Sequence, residues 1–428
     1  MDQRPRALAF NLAELGGGLG DLGVLVPLAT ALILTNGFNA TAVLLVFGVA
    51  YIGSGLYYRL PVPVQPLKAM AAIAIAQGLS PDVISTAGLI MGFILLGLAA
   101  SGAMVPLASL FSKPIVRGIQ AAVGVLLAQA GLRLIMKPEL VRGGEALHFN
   151  VLGGALPAGV IVVVALGAVL LLGLRWKRVP LTLVLLIPAI AAGALFGGAS
   201  RVADISLGPQ VPAIGLPDVS LFWTAFVLLV VPQLPLTLGN AVVACEDTAH
   251  AYFGDDAARV TQRSLLTTKG LANVFAGLIG GMPVCHGSGG LTAHHAFGAR
   301  TGGATVMLGA ALIALALAVG SSAASLLGII PPAALGLMLG IVGVQHALLV
   351  RDTKPGLEWL VVALVVVVAF LTANVALGFG AGIVCYHGSA LARRLLGPRH
   401  PPEQLSKLGA DGTETQGHLA LPAYSSDR

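Results

Sequence analysis

Charged and aromatic residues are scarce in this chain of 428 residues: 10% are Asp, Glu, Lys or Arg, and 5% are aromatic. A soluble domain has about 25% charged residues, so this composition excludes an ordinary water-soluble fold. Only three cysteines occur, and they form neither a disulfide framework nor a CxxC metal motif. The formal net charge of +6 is too small to indicate nucleic-acid binding. No HExxH or GxSxG motif is present, so we expect neither an enzyme nor a cofactor.

What the chain has in abundance is apolar length, with 57% hydrophobic residues and 56 glycines. Small residues allow helices to pack closely in lipid. Twelve apolar spans come close to the ~20 residues that a helix needs to cross a bilayer. They are 8–35, 40–58, 84–106, 115–135, 151–174, 179–197, 219–249, 264–280, 303–320, 331–350, 357–374 and 376–395. With two shorter segments, 69–77 and 291–297, the count is fourteen, and we predict an all-α polytopic membrane protein.

The basic residues predict the orientation of these spans. If the N-terminus is cytoplasmic, even-numbered spans end inside, where Lys and Arg should collect. They do so at Lys113/Arg117, Arg175/Lys177/Arg178, Arg259/Arg263, Arg300, Arg351/Lys354 and Arg393/Arg394/Arg399. Two outside loops, with Lys137/Arg142 and Arg201, depart from the pattern. We predict a multi-pass protein of the cell (plasma or inner) membrane with both termini cytoplasmic, and a disordered cytoplasmic tail at 397–428.

Three motifs recur at a nearly constant offset and predict an internal repeat. Glu14-Leu-x-x-x-Leu-Gly-Asp21 returns as Gln233-Leu-x-x-x-Leu-Gly-Asn240, Pro63-Val64 as Pro283-Val284, and Pro114-x-x-x-Gly118 as Pro332-x-x-x-Gly336. Each copy holds seven spans. Because seven is odd, the second copy must insert upside down, which gives two inverted repeats of seven, as in many alternating-access carriers.

The third and tenth segments are predicted to be short, broken half-helices, each of which a short β-strand could precede. Pro- and Gly-rich interruptions come before both, and such paired breaks mark the substrate site of secondary transporters. The N-terminus of each half-helix would offer unpaired N–H groups to an anion. The candidate substrate-binding residues are Gln65, Lys68, Gln233, Asn240, His286, Gly287, Ser288 and Gly289. Close helix packing by the glycines, snorkelling of Lys68 and capping by His286 are the alternatives.

Three carboxylates, Glu14, Asp21 and Asp247, are candidates for proton coupling, since a buried carboxylate is costly unless it is paired, hydrated or protonated. Glu14 and Asp21 are seven residues apart, which on a continuous helix places them on one face. An interfacial position for Glu14 and a solvated helix end for Asp247 remain open. His294 and His295 are adjacent and point apart on a helix, so we expect no metal site.

Four blocks resemble the molybdate transporter family, relatives of the sulfate permeases. They begin at Glu14, Pro61, Pro232 and Gly280 and read ELGGGLGDLG, PVPVQPLKA, PQLPLTLGN and GGMPVCHGSGGLTAH. The resemblance implies the seven-plus-seven fold. It also implies a core domain, 8–110 and 218–325, that moves against a gate domain, 113–200 and 328–396.

We therefore expect a secondary active transporter that imports molybdate by alternating access, with proton coupling. Its partners would be the molybdate oxyanion, protons and the lipid bilayer, and a homodimer is left open. Sulfate or tungstate is the alternative substrate. A nucleobase permease fits less well, because such sites rely on carboxylates where this chain has Gln233, Asn240 and Ser288.

Overall fold

The computed structural model describes residues 7–108, 110–151, 154–173, 181–198 and 205–396. The predicted tail at 397–428 and the basic residues at 175–178, 201 and 399 lie outside these ranges. Contacts divide the chain into one compact unit up to Tyr386 and a second from His387 onward, whose described part is the end of the last helix. Apolar helices dominate, which fits a multi-pass membrane protein.

Nine helices and three strands are described up to residue 198. The helices are α1 (Leu12–Leu19), α2 (Leu22–Asn36), α3 (Ala40–Tyr58), α4 (Lys68–Gln77), α5 (Pro81–Ser101), α6 (Met104–Ala108), α7 (Lys113–Ile135), α8 (Ala158–Gly173) and α9 (Leu181–Gly193). A π-helical turn, Ala194–Gly198, continues α9. The strands are β1 (Gln65–Pro66), β2 (His148–Val151) and β3 (Gly154–Pro157).

Eight helices and one strand follow in the described part of the second half. They are α10 (Val219–Arg259), α11 (Gln262–Leu278), β4 (Val284–Cys285), α12 (Ser288–Ala296), α13 (Gly303–Val319), α14 (Ala323–Leu327), α15 (Pro332–Ala347), α16 (Leu357–Thr372) and α17 (Val375–Leu396). A 3₁₀ turn, Leu348–Asp352, extends α15. Five of the described helices are long and apolar enough to cross a membrane, or six if the bent pair α1 and α2 counts as one.

The first predicted span is not one helix, and this corrects the placement of its two acidic residues. The axis bends by 53° between α1 and α2, at Gly20 and Asp21. Glu14 and Asp21 therefore do not share a helix face. The glycine run allows α1 to lie directly on the chain that leads into α13, because a Cβ on Gly18 would be 3.1 Å from the carbonyl oxygen of Ala304.

A second correction concerns the predicted span 151–174, whose first residues are not helical. His148–Val151 and Gly154–Pro157 form an antiparallel pair, and α8 begins only at Ala158. Alternating side chains such as those of His148, Phe149 and Asn150 suit a strand exposed on one face, and hydropathy alone did not separate them from the helix. The fold is thus mostly helical with four short strands, rather than all-α.

The two half-helices are confirmed, and a two-residue strand precedes each. β1 pairs antiparallel with β4, with Gln65 opposite Cys285 and Pro66 opposite Val284. Prolines at 61, 63 and 66 keep this segment extended, because proline lacks an N–H and fixes φ. Extended backbone inside a membrane protein needs partners from the protein itself. Asn273 supplies them by binding both the N–H and the C=O of Val284.

Three long helix pairs form the frame around these strands, and glycines set their spacing. α3 packs on α13, α5 on α11, and α7 on α15. A Cβ on Gly48 would lie 2.9 Å from the carbonyl oxygen of Gly309. A Cβ on Gly124 would lie 2.5 Å from that of Gly343. Backbones this close leave no room for a side chain, as is common where helices associate in lipid.

Candidate functional site

A cavity of about 500 Å³ lies where the broken elements meet. The bend between α1 and α2, strand β1, and the first turns of α4 and α12 form one wall. Leu170 of α8, Leu185 of α9 and a face of α15 form the other wall. Four of the predicted site residues line it: Asp21, Gln65, Lys68 and Gly289. A volume of this size suits a small-molecule site.

The N-terminus of α12 is open toward this cavity. Its N-cap residue, Gly287, has no capping side chain. Within the described parts of the chain, no acceptor meets the backbone N–H groups of Ser288, Gly289 and Gly290, and the first bonded amide is that of Leu291. Free N–H groups and the positive end of the helix dipole make such a terminus an anion site.

The N-terminus of α4 is closed, although the sequence suggested that it would match that of α12. The Oε1 of Gln233 accepts hydrogen bonds from the backbone N–H groups of Ala69 (2.9 Å) and Met70 (3.2 Å). Its Nε2 donates to the hydroxyl of Thr237. Gln233 is buried, and its amide is committed to holding the half-helix. Its predicted role as a substrate ligand is therefore not supported by its contacts, and it acts as a cap.

Lys68 supplies the positive charge at the cavity. It is half-buried at the start of α4, and a Cβ built on Gly287 would be 3.8 Å from its Nζ. Asp21 lies across the same space, fully buried, and one carboxylate oxygen accepts a hydrogen bond from Nε2 of Gln65. No direct ion pair joins Lys68 and Asp21, both of them described residues. The ammonium of Lys68 thus keeps its hydrogen-bond donors for another acceptor.

Buried polar atoms without partners collect at this point. Oδ2 of Asp21, Oε1 of Gln65 and the hydroxyl of Tyr51 each lack a hydrogen-bond partner in the described structure. A buried polar atom left unpaired costs about 1–3 kcal/mol, so such a cluster marks a place that a ligand or water completes. Gly290 borders it closely: a Cβ there would lie 2.8 Å from Oδ2 of Asp21 and 2.7 Å from Nε2 of Gln65.

The remaining predicted ligands flank the cavity rather than line it. Oδ1 of Asn240 accepts a hydrogen bond of 2.8 Å from the hydroxyl of Ser288 and so orients the first residue of α12. Asn240 belongs to a π-helical turn, Thr237–Val243, in a helix that also contains prolines 232 and 235. Such turns shift side chains off the regular helical face and are frequent at functional sites.

His286 has a structural role in its contacts. One ring nitrogen is 2.7 Å from the carbonyl oxygen of Pro63, and the other is 3.0 Å from the hydroxyl of Thr268. Both nitrogens are therefore occupied, and the ring holds the extended segment before α4 in place. His294 does the same for the carbonyl of Pro61. The alternative reading of His286 as a structural residue fits these contacts better than substrate binding.

Two of the three candidate proton carriers lie away from the cavity. The carboxylate of Glu14 is buried and accepts hydrogen bonds from the backbone N–H groups of Arg300 and Thr301, at 3.0–3.1 Å. It therefore caps the chain that leads into α13. Asp247 is exposed on α10. Only Asp21 is both buried and at the cavity.

The sequence missed the opposite wall of the cavity. Besides apolar residues, α15 contributes Gln345 and His346 there. Nδ1 of His346 is 2.9 Å from the carbonyl oxygen of Val342, and the ring is within electrostatic range of Lys68. A polar pair inside the apolar span 331–350 was the available signal. No cluster of three metal-ligating side chains occurs in the described ranges.

Solved structures with this fold are membrane transporters of anions. The transmembrane domain of the cyanobacterial bicarbonate transporter BicA matches with a TM-score of 0.62 and 17% identity, covering 87% of this chain and 96% of that one. The murine anion transporter Slc26a9, in its inward-facing state, matches with a TM-score of 0.64 and 16% identity, covering 91% and 69%. At such low identity the likeness shows the fold alone, and that fold defines a polytopic membrane transporter.

The sequence comparisons identify the family. The profile described as "Molybdate transporter of MFS superfamily" matches residues 13–127 and 225–346. "Molybdate transporter 1" of Arabidopsis thaliana is 31% identical over 407 residues, covering 88% of each chain. "Molybdate transporter 1" of Chlamydomonas reinhardtii is 28% identical over 493 residues, covering 90% of this chain and 94% of that one. The chain belongs to the molybdate transporter family, as its motifs predicted, and its relatives are transporters rather than enzymes.

Proposed function

We propose that this protein is a secondary active transporter that imports molybdate, and that the anion binds at the open N-terminus of α12. One observation carries the proposal. The first three N–H groups of α12 are unpaired beside the half-buried ammonium of Lys68, in a cavity of about 500 Å³. A tetrahedral oxyanion has the acceptor oxygens and the negative charge that this arrangement lacks.

Proton coupling follows from the charge of the substrate. Moving a dianion into a cell against an inside-negative potential costs roughly 4.6 kcal/mol per 100 mV, from about 2.3 kcal/mol for each charge. Uniport therefore cannot concentrate molybdate, whereas at least two protons would cancel its charge. Asp21 is the carboxylate whose position supports a coupling role, because it is buried at the cavity with one oxygen unpaired. We propose no such role for Glu14, which caps backbone, or for the exposed Asp247.

Alternating access by a core domain against a gate domain is the proposed mechanism, with fourteen spans in two inverted repeats. The cavity supports it, since residues of both proposed domains line its two walls. The repeat is supported by residues that meet their own counterparts. Gln65 pairs with Cys285 across the strands, and Gly124 contacts Gly343 across the α7–α15 crossing. A two-fold axis in the membrane plane brings equivalent residues together in this way.

The proposed location is the cell membrane, with both termini cytoplasmic. The basic residues at the ends of even-numbered spans support this orientation. A homodimer is a further proposal that the described chain leaves open to direct measurement of its oligomeric state.

Uptake by purified protein in vesicles tests the proposal. Labelled molybdate should enter with a saturable dependence on concentration, and unlabelled molybdate or tungstate should compete better than sulfate or uracil. Lys68→Ala and Ser288→Ala should reduce uptake severalfold, because each removes a group at the mouth of α12. Lys354→Ala, at an exposed position, is the control and should not. Equal loss in all three variants, or competition by uracil, would refute the assignment.

A further inference from the structure

A second lysine, Lys269 in α11, is buried with 1% of its surface exposed, and the proposed function does not use it. Its Nζ donates a hydrogen bond to the backbone carbonyl of Ala241. Within the described residues no carboxylate lies close enough to form an ion pair with it. A buried ammonium is costly unless a negative charge compensates it, so its position calls for an anion.

The contacts of its neighbours locate Lys269 directly behind the N-terminus of α12. Thr268, one residue before, contacts His286, and Asn273, one turn later, binds Val284. The face of α11 that carries Lys269 therefore lies along the chain that leads into α12. Ala241, its acceptor, follows Asn240, which binds Ser288. The side chain is thus held between α10 and this chain.

The two lysines flank the same short segment from opposite sides. Lys68 approaches Gly287 from the cavity, and Lys269 lies behind it. The thiol of Cys285, in strand β4, is within electrostatic range of both ammonium groups. Two positive charges and one open helix N-terminus therefore converge, with Asp21 as the single opposing carboxylate at the cavity.

We propose that Lys269 is the second positive charge that makes this site prefer a dianion over a monoanion of the same shape. The inference rests on the proposed function, because it concerns the anion bound at α12. Lys68 contacts the anion from the cavity, whereas Lys269 acts through the field behind the helix terminus. With Asp21 protonated, the two ammonium groups match the two negative charges of molybdate, and a singly charged tetrahedral oxyanion leaves one of them uncompensated.

A purely structural role is the competing explanation, and the chain allows the two to be separated. The carbonyl of Ala241 belongs to the π-helical turn Thr237–Val243, and Lys269 could simply satisfy it. Lys269→Gln keeps a hydrogen-bond donor but removes the charge. Lys269→Met removes both while keeping a similar length. A role limited to the carbonyl predicts that the Gln variant behaves as wild type.

Competition between perrhenate and molybdate is the test, because perrhenate is a tetrahedral oxyanion with one negative charge. Binding of labelled molybdate to purified protein is measured with each anion as competitor, and the ratio of their affinities is compared. We expect wild type to favour molybdate and both Lys269 variants to lose about tenfold of that preference. The exposed-site control, Lys354→Gln, should keep it. The ratio is measured on protein that binds, so a lower yield of folded variant does not alter it.

The outcomes are distinct. An unchanged ratio in both Lys269 variants, or a wild-type ratio in Lys269→Gln alone, overturns the inference. If wild type binds no molybdate, or if Lys68→Ala leaves binding unchanged, the proposed function itself is wrong. A loss of preference in both Lys269 variants with intact behaviour of Lys354→Gln supports the inference.

Discussion

Replacing Gln233 tests the structure most directly, because the side chain was predicted to bind substrate and is found capping a helix. Gln233→Ala removes the acceptor for the N–H groups of Ala69 and Met70. Leaving a buried donor unpaired costs about 1–3 kcal/mol, so the two together amount to roughly 2–6 kcal/mol. The half-helix α4 has 10 residues and is too short to be stable on its own. We expect a clear fall in the thermal denaturation temperature.

Gln233→Glu is the matched variant, since it keeps an acceptor of nearly the same shape. A carboxylate at a helix N-terminus is favourable, so stability should be retained. The added negative charge lies near the anion site, however, and molybdate uptake should fall. The pair thus separates stability from transport: the Ala variant loses the first, and the Glu variant loses the second.

Thermal unfolding in detergent and initial uptake rates in vesicles are the two assays. A Gln233→Ala protein that melts as wild type does, but needs more molybdate for half-maximal uptake, would refute the capping role. That result would restore Gln233 as a substrate ligand. A Gln233→Glu protein with unchanged uptake would show that the anion does not bind near α4.

Two further substitutions probe the cavity. Gly290→Ala should weaken molybdate binding about tenfold, because the methyl group would meet the carboxylate of Asp21 and overpacking costs about 1–3 kcal/mol; Gly97→Ala, where a Cβ meets nothing within 4 Å, is the control, and equal binding by both variants would contradict the geometry. Asp21→Asn should abolish uptake driven by a pH gradient, with accumulation falling about tenfold per pH unit for each proton lost, whereas Asp247→Asn at its exposed position should not. Retained pH-driven accumulation in Asp21→Asn would assign coupling to another group.

The sequence predicted the membrane class and the two half-helices because both depend on local chemistry. An apolar run of helix length has one stable arrangement in lipid, and prolines such as 63 and 283 stop a helix wherever they stand. The family followed from the same motifs. The predicted continuous helices failed at Asp21 and at 148–157, since glycine runs and short strands are as apolar as the helices beside them.

The tertiary structure alone decided which half-helix terminus is open to a ligand. Gln233 closes α4 from 164 residues away, and neither its identity nor its spacing reveals that contact. Lys269 was overlooked for the same reason: its place behind α12 depends on how α11 packs against α10, not on its neighbours in sequence. Hydropathy and turn chemistry act over a few residues, whereas capping, burial of charge and the walls of a cavity arise only when distant segments meet.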